Sequence, residues 1–193
     1  MPVQSSGASG GRNPKPAPGT LAPAIRPYAD ADRDAVLSLF TRVNRALAPP
    51  ALRSAFEDYI ALSIQQELGR IPAYYSTGNG AAFWVCEQDG QLPGMFGIER
   101  HDATTAELRR MYVAPEMRRR GIARAMLTHA EQACRDAGYR RLVLSTSELQ
   151  PAAIALYQAM AYRMVREEVA VAASNKTVGG NVRRFHFAKD LNG

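Results

Sequence analysis

The spacing of hydrophobic residues changes several times between residues 24 and 189, and this change constrains the fold more than any other feature. A short strand-like run comes first, and two segments with the three- and four-residue spacing of helices follow it. Three strand-like segments come next, followed by a helix, a strand, a second helix and two final strands. The predicted order is β-α-α-β-β-β-α-β-α-β-β. Because helices separate the strands, we expect an α/β fold with helices on both faces of a central sheet.

Turn and cap residues bound the predicted elements. The predicted strands cover residues 24–28, 82–87, 95–100, 106–113, 142–146, 162–171 and 182–189. The first helix is expected to be capped by Asp30 or Asp32, and the second to follow Pro49-Pro50. The last two helices are expected over residues 121–137 and 151–160, with Asp89-Gly90 forming a hairpin turn after the second strand.

The chain length of 193 residues suits one domain with a short appendage. Residues 1–22 are mostly Gly, Pro, Ser and Ala without periodicity, so they bury too little apolar surface to offset the entropy of ordering. We therefore predict a disordered segment over residues 1–22 and a folded domain over residues 23–193.

The compartment is predicted to be the cytoplasm. No stretch approaches the roughly 20 apolar residues that span a bilayer, and the start of the chain lacks the apolar core of a signal peptide. An organellar transit peptide stays open because residues 1–29 contain no acid, although Gly and Pro make an amphipathic helix there unfavourable. Cys86 and Cys134 are expected to be buried, reduced thiols. The three histidines show no metal-ligand spacing, so no metal site is predicted.

The net charge of +6 is concentrated in one place. Residues 107–124 carry six arginines against two acids, a local excess of +4 over 18 residues. A compact basic cluster beside a glycine favours a phosphate-containing small ligand over a long nucleic-acid track.

The segment that carries the chemistry is L-R-R-M-Y-V-A-P-E-M-R-R-R-G-I-A-R-A-M-L, residues 108–127. A strand ends near Val113, and a helix begins with Arg-Arg-Gly-Ile-Ala. Helix N-termini present unpaired amides and positive potential, and Gly121 allows the backbone to approach a phosphate closely. The pattern predicts a pyrophosphate site, although it is neither a Walker P-loop nor a Rossmann fingerprint. The alternative is an exposed basic helix start with an incidental glycine.

Arg118-x-x-Gly121-x-Ala123 resembles the R/Q-x-x-G-x-G/A motif of the GNAT acyltransferase superfamily. Downstream, A-I-A-L-Y followed by Q-A-M-A-Y resembles the family's A-I-x-L-Y-x-x-x-G-F. The resemblance covers roughly residues 24–191. It implies the GNAT fold, a mixed central sheet of about six or seven strands flanked by about four helices. More narrowly, L-S-T-S-E-L-Q-P-A-A-I-A-L-Y and F-W-V-C-E resemble the camello-type N-acetyltransferases.

The resemblance also implies an activity, the transfer of acetyl from acetyl-CoA to a primary amine by direct attack, without a metal. The amine would belong to a small molecule, an amino acid or a peptide lysine. Tyr157 would protonate the departing thiolate, and an amide near Val113 would stabilise the oxyanion. The residues implied to bind acetyl-CoA are Met111, Tyr112, Val113, Arg118, Arg119, Arg120, Gly121, Ile122, Ala123, Arg124 and Gln150.

Three positions depart from the family pattern. Gln150 stands where many relatives have Asn, and Ala161-Tyr162 replaces Gly-Phe. Ser145 stands where some relatives have a glutamate base. Glu107 is therefore our first candidate for the general base and Glu99 the second, while either carboxylate could equally be structural.

Two other functions remain as alternatives. A basic nucleic-acid-binding module would place exposed aromatic residues among the arginines, and only Tyr112 fits that description. A degenerate domain that binds CoA without catalysis is disfavoured because Gly121 and Tyr157 are both retained. No nucleic-acid or membrane partner is expected, the acceptor is not identified, and the chain is expected to be a monomer or a homodimer.

Overall fold

Seven strands form one mixed sheet in the computed structural model, which describes residues 23–191. The prediction of disorder for residues 1–22 lies outside the described residues. The strand order is β1-β2-β3-β4-β5-β7-β6. The strands are β1 (Ala24–Pro27), β2 (Ala82–Gln88), β3 (Gln91–Arg100), β4 (Thr105–Val113), β5 (Arg141–Ser147), β6 (Arg163–Ala170) and β7 (Val182–Asp190).

Each helix predicted from the sequence is present, with ends that differ by a few residues. The helices are α1 (Arg33–Leu47), α2 (Arg53–Gln66), α3 (Ile71–Tyr74), α4 (Ile122–Asp136) and α5 (Pro151–Ala159). Helix α3 was not predicted, because a single turn is too short to show a period. Strand β3 begins four residues earlier than predicted. Asp89 and Gly90 both have positive φ, as a two-residue hairpin turn requires, so pairing with β2 resumes at Gln91.

The two faces of the sheet have separate hydrophobic cores, as the α/β prediction requires. On one face, Phe40 of α1 and Ile60 of α2 pack against Val85 and Met95. On the other face, Met126 of α4 and Tyr157 of α5 belong to a cluster that also holds the buried thiols Cys86 and Cys134. Helices therefore cover both sides of the central strands.

Asp32 precedes α1 as predicted, but its side chain does not cap the helix. A 3-10 turn over Asp30–Asp32 leads into α1, and it directs the carboxylate back along the chain. There the carboxylate accepts hydrogen bonds from the Ala29 amide (2.8 Å) and from two nitrogens of Arg26 (2.8 and 2.9 Å). Asp32 therefore ties the start of α1 to β1.

The central strands β4 and β5 diverge, and this divergence positions the candidate site. They are parallel and pair from Thr105↔Arg141 only as far as Leu108↔Leu144. Beyond that point β4 stays paired with β3, and β5 stays paired with β7. The carboxyl-terminal half of β4 thus has one edge free, and a gap opens between the two strands.

Candidate active site

A cavity of about 130 Å³ lies where β4 and β5 separate. It is lined by residues of α1, α2, β4, β5 and α5 and by the loop between β6 and β7. Five residues that the sequence analysis selected from distant parts of the chain line it together: Glu107, Met111, Tyr112, Gln150 and Tyr157.

A β-bulge in β4 shapes one wall of the cavity. Met95 pairs with Tyr112 and Gly97 with Arg109, so Arg110 and Met111 together oppose Phe96 alone. Arg110 has a φ of 54°, which is unusual for a residue with a side chain. The edge of β4 from Arg109 to Val113 that faces away from β3 has no strand partner among residues 23–191. An extended ligand could pair with this edge as an added strand.

The predicted phosphate site lies at the start of α4. Gly121 is the N-cap residue with a φ of 81°, and the first backbone hydrogen bond of the helix runs from the Ala125 amide to the Gly121 carbonyl. The amides just ahead of it have no intrahelical acceptor and are available to a ligand. A Cβ on Gly121 would meet no described atom within 4 Å, so open space lies in front of the backbone.

Side chains around this helix start divide into two groups. Arg118, Arg119, Arg120 and Arg124 are exposed, so their guanidinium groups can reach an anion. Ile122 is buried in the core, so only its backbone could contact a ligand.

Arg109 and Arg110 do not belong to the basic cluster in which the sequence analysis counted them. Both are buried, and both donate to the fully buried Glu67 that follows α2. The distances from Arg109 Nη2 and Arg110 Nη2 to Glu67 Oε2 are 2.7 and 2.6 Å. Tyr75 donates a further hydrogen bond to Glu67. These two arginines are therefore paired with a carboxylate inside the protein, and both line the cavity.

Tyr157 is buried, and its ring packs against the rings of Tyr162 and Phe187 at 5.9 Å. Its hydroxyl makes no hydrogen bond to any residue in the described range. Burial raises the pKa of Tyr157 to about 12, so the hydroxyl keeps its proton at neutral pH. A protonated hydroxyl in a cavity is what a general acid requires.

Gln150 lies at the N-cap of α5 and lines the same cavity. Its side-chain oxygen accepts a hydrogen bond from the Thr146 hydroxyl at 2.9 Å. The side-chain nitrogen has no partner within residues 23–191, so it can donate to a ligand.

The two candidate bases share one cation. Lys176 Nζ, from the loop between β6 and β7, lies 2.7 Å from Glu107 Oε2 and 3.1 Å from Glu99 Oε1. Glu99 also accepts from Arg109 and Tyr74. Burial of Glu99 favours its neutral form, but the charges of Arg109 and Lys176 outweigh it and lower the pKa of Glu99. Within residues 23–191, Lys176 is the one residue that donates a hydrogen bond to Glu107, so Glu107 is the better placed of the two to accept a proton.

The guanidinium group of Arg184 lies beside Ser145. Arg184 Nη2 donates to the Ser145 hydroxyl at 2.5 Å, Arg184 Nη1 lies 3.2 Å from Glu168 Oε1, and Arg184 lines the cavity. Burial lowers the pKa of Arg184. No carboxylate takes part at position 145, which leaves Glu107 as the acidic residue of this part of the cavity.

No motif in the sequence marks Glu67, Lys176 or Arg184 as a residue of the site. Their roles depend on contacts between residues far apart in the sequence, such as Arg110 to Glu67 and Lys176 to Glu107, which are 43 and 69 positions apart. The one local signal is a glutamate directly before Leu68 at the end of an amphipathic helix, where an apolar residue would fit the core.

In residues 23–191, no helix is long and apolar enough to cross a membrane.

Sequence similarity to known proteins is consistent with this architecture. The acetyltransferase (GNAT) family model matches residues 45–162. N-acetyltransferase family 8 member 3 of Rattus norvegicus is 35% identical over 117 residues, which cover 58% of this chain and 51% of that protein. N-acetylaspartate synthetase of Danio rerio is 33% identical over 116 residues, which cover 60% of this chain and 41% of that protein. The chain thus spans about half the length of the curated relatives it matches, and their names bear out the camello-type resemblance.

Solved structures agree on the fold. An acetyltransferase from Salmonella typhimurium, determined with its cofactor acetyl-CoA, superimposes with a TM-score of 0.64 over 89% of this chain and 95% of that one, at 17% identity. The match of the family model over residues 45–162 and the shared fold show that this chain belongs to the GNAT acetyltransferase family.

Proposed function

We propose that this chain transfers an acetyl group from acetyl-CoA to a primary amine by direct attack of the amine on the thioester. The observation that carries the proposal is the divergence of β4 and β5 beyond Leu108 and Leu144. It places the free edge of β4, Tyr157 and Glu107 around one cavity.

The residues present fit the pyrophosphate, the pantetheine arm and the thioester of acetyl-CoA. The pyrophosphate would bind the amides at the start of α4, with charge from Arg118, Arg119, Arg120 and Arg124. The pantetheine arm contains amides, so it can pair with the free edge of β4 at Met111–Val113 and accept from Gln150. The thioester would then lie in the cavity beside Tyr157.

The chemistry follows from the groups that surround the thioester. The acceptor amine loses a proton to Glu107 and attacks the carbonyl carbon. An amide near Val113 would donate to the oxyanion that forms. The carbon–sulfur bond breaks, and Tyr157 gives its proton to the departing thiolate. Most of the rate enhancement would come from holding the two reactants together in this cavity.

The acceptor is proposed to be an amino acid, another small amine or a peptide lysine. The Danio rerio relative is named for the synthesis of N-acetylaspartate, which makes aspartate a member of any acceptor panel. Arg184 lines the cavity, so its guanidinium group could form an ion pair with an anionic acceptor.

Thiol release from acetyl-CoA, measured with a panel of amino acids, polyamines and lysine peptides, tests the proposal. We expect at least one amine to be acetylated. The amount of acetylated product, measured by mass spectrometry, should equal the amount of CoA thiol released. Binding of CoA without transfer to any amine, across the whole panel, would contradict the proposal and indicate a binding domain.

A further inference from the structure

Lysine is rare in this chain, and one lysine lies inside the candidate active site. The sequence contains three lysines, Lys15, Lys176 and Lys189, against 21 arginines. The ammonium of Lys176 lies between Glu99 and Glu107, at 3.1 and 2.7 Å, and the residue lines the cavity that contains Tyr157.

The loop that carries Lys176 is held in this position by the backbone. The carbonyl oxygen of Asn175 accepts a hydrogen bond from the buried Arg110 at 2.6 Å. Gly179 has a φ of 74°, and a Cβ there would lie 2.6 Å from the Ala173 nitrogen, so only glycine fits this turn. The contact of Lys176 with Glu107 therefore belongs to a defined loop conformation.

Lys189 offers a contrast within the same chain. Its ammonium is 2.8 Å from both carboxylate oxygens of Glu131, and it lies 5.4 Å from the centre of the Tyr162 ring. Lys189 does not line the cavity. Both described lysines thus have carboxylate partners, but only Lys176 has the candidate general base as its partner.

We propose that Lys176 is itself an acceptor, and that the active site of this chain acetylates its Nζ within the same molecule. An acceptor amine must lie next to the general base and beside the thioester. The Lys176 ammonium already lies next to Glu107 in the cavity where the thioester would bind. The inference rests on the proposed function, since it needs acetyl-CoA as the acetyl donor.

The reaction balances with the groups already named. The Lys176 ammonium loses a proton to Glu107, and the neutral Nζ attacks the acetyl carbonyl carbon. The nitrogen–carbon bond forms, the carbon–sulfur bond breaks, and the thiolate takes a proton from Tyr157. As the intermediate collapses, the nitrogen loses its second proton, which restores Tyr157 through water, and Glu107 then releases its proton to solvent. The products are therefore N-acetyl-lysine, CoA thiol and one released proton.

Acetylation would change the site that performs it. The product is a neutral amide, so the positive charge between Glu99 and Glu107 is lost. A free acceptor amine would compete with Lys176 for Glu107 before this step and would protect Lys176 from the modification.

The test uses the full chain and deuterated acetyl-CoA, so that acetyl groups acquired during expression are distinguished by mass. Peptide mapping follows the labelled fraction at Lys15, Lys176 and Lys189 over time. We expect Lys176 to be labelled at least about tenfold faster than the other two, because among residues 23–191 it is the lysine that lies beside the candidate base and in the cavity with Tyr157. The first-order rate should not change with protein concentration.

Variants supply the matched controls. Tyr157→Phe should slow labelling of Lys176 without changing that of Lys189. Lys189→Arg should leave the Lys176 rate unchanged, and Lys176→Arg should remove the fast phase.

Equal labelling of all three lysines would show chemical acetylation and overturn the inference. A rate that rises with protein concentration would show transfer between molecules and overturn it too. Acetyl transfer to a free amine in one assay, together with no labelling of Lys176 in a second assay without added amine, would overturn this inference alone. Failure of transfer to Lys176 and to every amine would count against the proposed function as well.

Discussion

At the scale of single residues, the role of the Tyr157 hydroxyl distinguishes an enzyme from a domain that only binds CoA. Its ring belongs to the core, whereas its hydroxyl reaches a cavity and keeps its proton because burial raises its pKa to about 12. One side chain can therefore serve packing and proton donation, and the two roles can be tested apart.

Replacing Tyr157 with Phe keeps the ring and removes the proton. We expect the rate of acetyl transfer to fall by about 10²–10⁴-fold, the usual contribution of general acid catalysis. The fall should appear in kcat and kcat/KM together, because the interaction is made mainly in the transition state. Single-turnover acetyl transfer is the measurement, since slow product release would hide part of the effect.

The affinity for CoA serves as the control for this variant, because the start of α4 is unchanged and the affinity should stay within about twofold. Equal single-turnover rates in wild type and Tyr157→Phe would leave Tyr157 as a packing residue, with water as the proton source.

Gly121 tests the phosphate site. We expect Gly121→Glu to abolish CoA binding measured by calorimetry, because a carboxylate would face the pyrophosphate and a side chain would disfavour the positive φ. Gly121→Ala is the matched control, since it brings the backbone strain without the charge and should weaken binding less. Wild-type affinity in Gly121→Glu would place the phosphate site elsewhere.

The residues that could be predicted from the sequence are those with a local pattern. Gly121 opens a helix after a strand, and Tyr157 lies in A-I-A-L-Y, so neighbouring residues were sufficient to select them. Glu67, Lys176 and Arg184 acquire their roles only through contacts made by folding, and the sequence around them carries no such pattern. The same limit explains why Arg109 and Arg110 were counted with the exposed arginines, because their partner Glu67 is more than 40 residues away.

At the scale of elements, strand β4 combines structural and binding roles. Neighbouring residues of a regular strand point to opposite faces of the sheet. The bulge at Arg110 changes this alternation, so Arg109 and Arg110 can both reach Glu67. The bulge thus directs two positive charges to one buried carboxylate. The edge of β4 that faces away from β3 has no strand partner within residues 23–191 and can pair with a ligand.

Removing the charge of Glu67 should destabilise the fold strongly. Glu67→Gln leaves the buried Arg110 without a carboxylate partner among the described residues and leaves Arg109 with Glu99 alone. Breaking a buried ion pair typically costs about 3–5 kcal/mol. The measurement is the free energy of unfolding in urea. The matched control is Glu57→Gln in α2, whose pair with Arg45 is exposed, so we expect a much smaller loss of stability than for Glu67→Gln. A similar small loss in both variants would show that the buried cluster does not hold the fold together.

The order and type of the long elements followed from the sequence, but their divergence did not. Residues 142–146 have strand-like character wherever they pair, and nothing local indicates that pairing with β4 stops at Leu144. The gap is set by the partners on the far sides, since β3 and β7 continue to hold β4 and β5 along separate paths. The cavity is therefore a property of the sheet and not of any one segment.

At the scale of the whole molecule, the cavity lies between the two hydrophobic cores. Tyr157 comes from the core that contains α4 and α5, whereas Tyr112 contacts the core that contains α1 and α2. A ligand between β4 and β5 would touch both halves and would bind the folded chain far better than the unfolded one. Binding should therefore raise the stability of the whole domain.

Thermal unfolding with and without acetyl-CoA measures this coupling. Acetyl-CoA at about 100 times its dissociation constant should add about 2.7 kcal/mol of stability, by mass action. For a chain of this length that corresponds to a rise in Tm of roughly 5–11 °C. Pantetheine is the ligand control, because it lacks the pyrophosphate and should produce a smaller rise at the same concentration. Gly121→Glu is the protein control, compared with its own melting curve. It should lose the rise with acetyl-CoA and keep the smaller rise with pantetheine, which does not reach the start of α4. An unchanged Tm for the wild-type chain in millimolar acetyl-CoA would rule out the assignment of the cofactor. A rise of equal size with pantetheine would keep the thioester cavity but would show that the start of α4 does not hold the pyrophosphate.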